Sequence, residues 1–203
     1  MKRRCVVLLL AGLSLLSLSC SALKDIQQTM TNLARCTFKL ESVSNFTLVD
    51  IPLGAKTNLD LVDGARLLSA FSRNEFPASF TVNVAVINPN DGKGGSPKSA
   101  ATLTSFAWTL LLDNTKTITG NITSPITIPG TGQQTIIPLQ MKLDLATFFK
   151  NKGYDSVINL ALALGGAHRS TSRITLRATP TIRTDFGPIT YPGEIEIVDK
   201  EFR

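Results

Sequence analysis

Residues 80–92 read Phe80-Thr81-Val82-Asn83-Val84-Ala85-Val86-Ile87-Asn88-Pro89-Asn90-Asp91-Gly92. Large apolar side chains occupy every second position from Phe80 to Val86, with Thr81, Asn83 and Ala85 between them. A period of two lays an apolar and a more polar face along extended chain, the pattern of a half-buried strand. The strand ends at Asn88-Pro89-Asn90-Asp91-Gly92, because proline cannot donate to a ladder and Asn, Asp and Gly suit a turn.

The same period recurs downstream. Residues 102–113 place Phe106, Trp108, Leu110 and Leu112 on one face and turn at Asp113-Asn114 into residues 116–123. Residues 134–143 alternate Thr135, Ile137, Leu139, Met141 and Leu143 with Gln140 and Lys142, and residues 156–164, 172–184 and 188–198 give three further expected strands. Residues 92–99 read as a flexible hairpin loop, and Leu145–Lys150 as a single helical turn. Upstream, residues 36–49 form a strand through Phe38, Leu40, Phe46 and Leu48. Residues 59–72 predict a helix whose stripe is Leu61, Ala65 and Leu68, with Asp60 and Asp63 in the first turn where they suit the helix dipole. Residues 21–35, with Leu23, Ile26, Met30 and Leu33 at helical spacing, read as a short helix or a tether. About seven or eight strands with one or two short helices describe a mainly β chain, an antiparallel sandwich. With no fixed-period repeat and no Pro-rich linker, residues 36–203 are expected to form one domain.

The first twenty residues carry an address. Lys2, Arg3 and Arg4 precede an apolar run of 13 residues, Val6–Leu18, and Ser19 then meets Cys20. A positive start, an apolar stretch and a small residue before the cut site describe an export signal over residues 1–19. The run is shorter than the about 20 residues a membrane span needs. A cysteine at the junction points to cleavage there and lipid on Cys20. Residues 20–35 then become a lipidated N-terminus and tether. A plain secretory signal and an uncleaved anchor are the alternatives. On the first reading the protein is exported and held by lipid in a bacterial outer membrane or another envelope membrane.

The remaining 184 residues are enough for an ordinary core. Three units of the formal charge of +6 leave with the signal, and the remaining excess is spread thinly, with no concentrated basic face of the kind nucleic acid requires. Of three cysteines, Cys5 leaves with the signal and Cys20 is modified. Cys36 is left alone, so no disulfide framework is available; it reads as a small buried hydrophobe.

Chemistry-bearing groups are sparse. His168 is the only histidine, in a turn at Gly165-Gly166-Ala167-His168, so a multi-histidine zinc site is excluded within one chain, and no G-x-S-x-G elbow accompanies it. Gly92-Lys93-Gly94-Gly95-Ser96 lacks the spacing of a phosphate loop and leads into a strand rather than a helix. The acidic residues form no calcium-type run, and Asp91 and Asp113 flank turns. Asn45-Phe46-Thr47 and Asn121-Ile122-Thr123 match the glycan acceptor pattern within expected strands. No catalytic residue, metal or cofactor is expected, and the chain reads as non-enzymatic.

One ordered constellation stands out: Asn88-Pro89-Asn90, then Trp108 to Asp113 turning into Ile118-Thr119-Gly120, then Ile128-Pro129-Gly130-Thr131-Gly132, and finally Gly187-Pro188-Ile189-Thr190-Tyr191-Pro192. This order over about residues 36–198 resembles the LEA-2 family, the LEA14-like or WHy domain. The chain adds the helix of residues 59–72 and the loop Gly92–Ser99. The resemblance implies a fibronectin-III-like β-sandwich without catalytic residues, and a role in stress or desiccation tolerance. It also implies, more weakly, lipid carriage at membranes. Read physically, Asn88 and Asn90 bond local backbone, Pro89 ends pairing, and Gly120 permits a positive φ or a bulge. Pro129, Gly132, Gly187 and Pro192 are turn residues in the same sense. The expected partners are the membrane, through the N-terminal lipid, and a protein or lipid ligand. The leading expectation is a binding or shielding envelope domain; the alternatives are a carrier of lipid or another apolar ligand between the sheets, and an adhesin or assembly subunit.

Overall fold

The computed structural model describes residues 23–53, 60–93, 97–149, 173–185 and 187–201, with 153, 157, 158, 160 and 161. Helix α1 (residues 23–34) leads into strands β1 (Thr37–Leu48) and β2 (Ile51–Pro52). Helix α2 (Leu61–Ser72) precedes β3 (Pro77–Ile87), β4 (Ala101–Leu112), β5 (Thr115–Gly120), β6 (Ile126–Ile128) and β7 (Gln134–Asp144). Helix α3 (Leu145–Phe148) precedes β8 (Arg173–Thr184), β9 (Gly187–Thr190) and β10 (Ile195–Glu201).

The strands form two antiparallel sheets, ordered β2-β1-β3-β7 and β10-β8-β4-β5, with β6 added to β4 and β9 to β8. This is the mainly β sandwich that the alternating segments imply. Two hairpins close on two-residue turns with left-handed backbone, Val49-Asp50 (φ 50° and 61°) and Asp113-Asn114 (φ 48° and 63°). Such turns match the right-handed twist of the strands they join. β3 is central in the first sheet and pairs with β7 without a register shift from Pro77–Asp144 to Ile87–Gln134.

The core lies between the sheets. Phe80, Val82, Val84 and Val86 of β3 and Ile137, Leu139 and Met141 of β7 meet Phe106, Leu110 and Leu112 of β4 and Ile174 and Leu176 of β8, all buried. Phe38 of β1 stacks on Phe106 across the two layers, with ring centroids 5.8 Å apart. Each such large side chain contributes about 1.5–3 kcal/mol by leaving water.

Four expectations change. The segment 156–164 is not a strand at its described positions: Val157, Ile158, Leu160 and Ala161 are helical, with Val157, Leu160 and Ala161 buried at the i, i+3, i+4 spacing of one helix face. The segment 188–198 is two strands, β9 and β10, divided at Pro192-Gly193, where Gly193 has φ 110°. The connection after β3 is no hairpin, because β3 and β4 belong to different sheets and the chain crosses from one to the other.

The fourth concerns α2. Asp60 caps it in a capping box, its side chain accepting from Asp63 N at 2.7 Å. The stripe Leu61, Ala65 and Leu68 is exposed, while Asp63, Leu67 and Ala70 are buried. Both sets have the same spacing, offset by two residues or about 200° around the axis. The inward choice is made by Leu67 and Ala70 entering the core and by Phe71, which meets Phe76 edge-on at 6.1 Å.

Candidate functional site

Chain segments far apart in sequence converge at one end of the sandwich, around the turn that ends β3. Asn88 is fully buried, and its Nδ2 donates to Ser99 O at 2.8 Å and Ile128 O at 3.3 Å. Its Oδ1 accepts from Asn90 N at 3.1 Å and Asn90 Nδ2 at 2.7 Å. Asn90 Nδ2 also donates to Asn32 O at 2.9 Å, tying the last turns of α1 to the pole. The backbone completes the knot through Ser99 N to Asn90 O and Gly132 N to Asn88 O, both 3.0 Å. These contacts fix both amide orientations, since each Nδ2 faces only acceptors and Asn88 Oδ1 faces only donors.

The sequence motif therefore divides by role. Asn88, Pro89, Asn90, Pro129 and Gly132 come together here, with Gly132 at φ 70°. Gly130 between them admits no side chain, because a Cβ there would strike the carbonyls of Asn90 and Ser99. Gly120 sits elsewhere, paired with Trp108. It needs neither a positive φ nor a bulge of its own: the Trp108 ring covers the place a Cβ would take. Gly187 (φ 110°) closes the β8–β9 hairpin opposite Thr184, at the end of β8 that faces the same pole as Asn88, and Pro192 lies in the turn before β10. Cys20 and His168 lie outside the described residues.

A cleft of about 260 Å³ opens beside the knot, between α1 and the ends of β3, β4 and β8. Asp25, Asn32, Asn88, Asn90, Arg183 and Asp185 are among the polar residues that line it. Of these the sequence singles out Asn88 and Asn90, because α1 and the end of β8 meet the turn only through tertiary packing. Cys36 lies just beyond α1, 8 % exposed, with its Sγ 3.6 Å from Asn32 O. Burial pushes its thiol up from the ordinary 9.0 to about 11, away from the thiolate a nucleophile requires. Among the described residues no three His, Cys, Asp or Glu side chains converge to hold a metal ion.

The two glycan acceptor patterns differ in geometry. Asn121 has its amide engaged, with Oδ1 accepting from Phe106 N at 2.6 Å and Ile122 N at 2.8 Å and Nδ2 donating to Ser105. Asn45 is exposed at φ 54°, in a register break of β1. Asp91 bonds its local backbone through Lys93 N, whereas Asp113 accepts from Arg173 N across to β8.

No family model matches the chain, and neither does any curated protein. Among solved structures the chain is similar to a crystal structure of a protein from Archaeoglobus fulgidus at 15 % identity, over 80 % of this chain and 98 % of that one, with a TM-score of 0.32. It is also similar to a solution structure from Arabidopsis thaliana at 17 % identity, over 62 % and 75 % of the two chains, again with a TM-score of 0.32.

Proposed function

We propose that the chain is a lipid-anchored, non-catalytic envelope domain of the LEA-2 kind, which binds or shields membrane or protein partners. The observation that carries this reading is how the motif side chains are used. Asn88 and Asn90 direct their amides to the backbone of Ser99, Ile128 and Asn32, so the motif braces a frame rather than presenting reactive groups. The anchor is supported by chain geometry. Residue 23 already begins α1, whose Leu33 is buried on the sandwich, so about 10 Å of chain separates Cys20 from a docked helix. An acyl group on Cys20 would therefore hold the Asn88 end of the domain close to the membrane.

The Phe38–Phe106 stack between the layers weighs against the carrier alternative, which needs a gap between the sheets. Two measurements test the proposal. Metabolic palmitate labelling is expected in the wild type and lost in Cys20→Ala; an unlabelled wild type removes the anchor. A model enzyme dried or heated with the protein is expected to keep more activity than with albumin, and equal loss removes the shielding role.

A further inference from the structure

We infer that the cleft beside Asn90 is a binding site for a small organic cation carrying a primary ammonium group. Asn90 lines the cleft, is 1 % exposed, and its Oδ1 has no hydrogen-bond partner. That oxygen is not a misassigned nitrogen, because the other end of the amide donates to both Asn32 O and Asn88 Oδ1. A buried acceptor left unmatched costs about 1–3 kcal/mol, so the site calls for a donor.

Charge selects the kind of donor. Asp25 and Asp185 stand at the lining, and among the described residues neither is in an ion pair and Arg183 is the one cation that lines the cleft. Two carboxylates against one guanidinium, above an amide acceptor, favour a positively charged donor over an anion. A primary ammonium brings three N–H donors on one compact charge, enough to address both carboxylates and an amide oxygen together. The group can belong to a free amine or to the ethanolamine headgroup of a lipid. The site stands whether or not Cys20 carries lipid, because it is built wholly from residues 25–185.

The test is a titration of the full-length ¹⁵N-labelled chain in detergent micelles with ethanolamine and with putrescine, against potassium chloride at matched ionic strength. Saturable shifts of the Asn32 and Asn90 side-chain amide signals are expected with the amines alone. In Asp25→Asn/Asp185→Asn, whose changes lie at exposed positions, the midpoint should move at least tenfold upward with the remaining spectrum preserved. Shifts that also follow potassium chloride, or a double variant that titrates like the wild type, would overturn the site. Vesicles of phosphatidylcholine with and without phosphatidylethanolamine then separate the two sources: preferential binding to the ethanolamine lipid assigns a headgroup, and equal binding a free amine.

Discussion

Asn88 shows how one buried amide can hold three chain segments at once, since it joins the β3 turn, the approach to β4 and the end of β6. Gly120 performs the converse task by having no side chain. Replacing it with alanine puts a methyl group into the Trp108 ring, and the ring has no room to withdraw because it is 94 % buried between β5 and the core. Gly120→Ala is expected to cost about 1–3 kcal/mol, read as a lower urea midpoint by Trp108 fluorescence. An unchanged midpoint would show that the indole moves freely. Cys36 makes a second prediction with a definite sign. Its unfolded thiol has the ordinary value of 9.0, and burial in the fold raises it to about 11 because the thiolate is disfavoured away from water. The resulting contribution to stability is fully present below about pH 9 and is lost as pH rises through about 11. The native thiol should stay unreactive to a chromogenic disulfide at pH 8 and react promptly in denaturant, while Cys36→Ala should flatten the alkaline end of the stability profile.

Among the elements, α2 carries the sharpest contrast between pattern and placement. Leu61 is 95 % exposed and Leu68 58 %, whereas Leu67 is 1 % exposed. Leu67→Ala is therefore expected to cost about 2–5 kcal/mol. Leu68→Lys, one residue away, should stay within about 0.5 kcal/mol. Chemical denaturation of the two variants checks this, and the reverse ranking would mean that α2 docks by its other face. β7 illustrates a different constraint. It has β3 on one side and forms an edge of the first sheet, and Pro138 stands in its middle opposite Asn83. Proline is tolerated on an edge because its missing N–H faces away from the partner strand, and there it also blunts pairing with another chain.

At the scale of the molecule, the two sheets form one core rather than two, so damage in one should be felt in the other. Phe80 belongs to the first sheet and Trp108 to the second. Phe80→Ala is expected to lower the Trp108-reported unfolding midpoint as far as the midpoint seen by circular dichroism, a loss of about 3–5 kcal/mol. Separate transitions would mean that the layers unfold independently. The strands flanking this core are legible from residue order. Phe80 to Val86, Phe106 to Leu112 and Ile137 to Leu143 alternate with period two, and extended chain turns alternate residues to opposite faces whatever surrounds it. The turns at Asn88-Pro89-Asn90 and Asp113-Asn114 are equally local, since they follow from backbone preferences of the residues themselves. The face of α2 is not local: Leu61-Ala65-Leu68 and Asp63-Leu67-Ala70 share one spacing, and only the position of Phe76 and the core beneath it selects between them. The helical turn at Val157–Ala161 is a similar case, because a short apolar run suits a strand and a buried helix alike. The cleft beside Asn90 lies further still from sequence. Asp25, Asn32, Arg183 and Asp185 are up to 160 residues apart, and they meet only because α1 and β8 end at the same pole. Periodicity and turn chemistry thus determine the strands and where they stop, since both act through neighbouring residues. Which faces turn inward and which distant side chains share a site is decided by packing, because those choices depend on surfaces that exist only once the sheets have closed on one another.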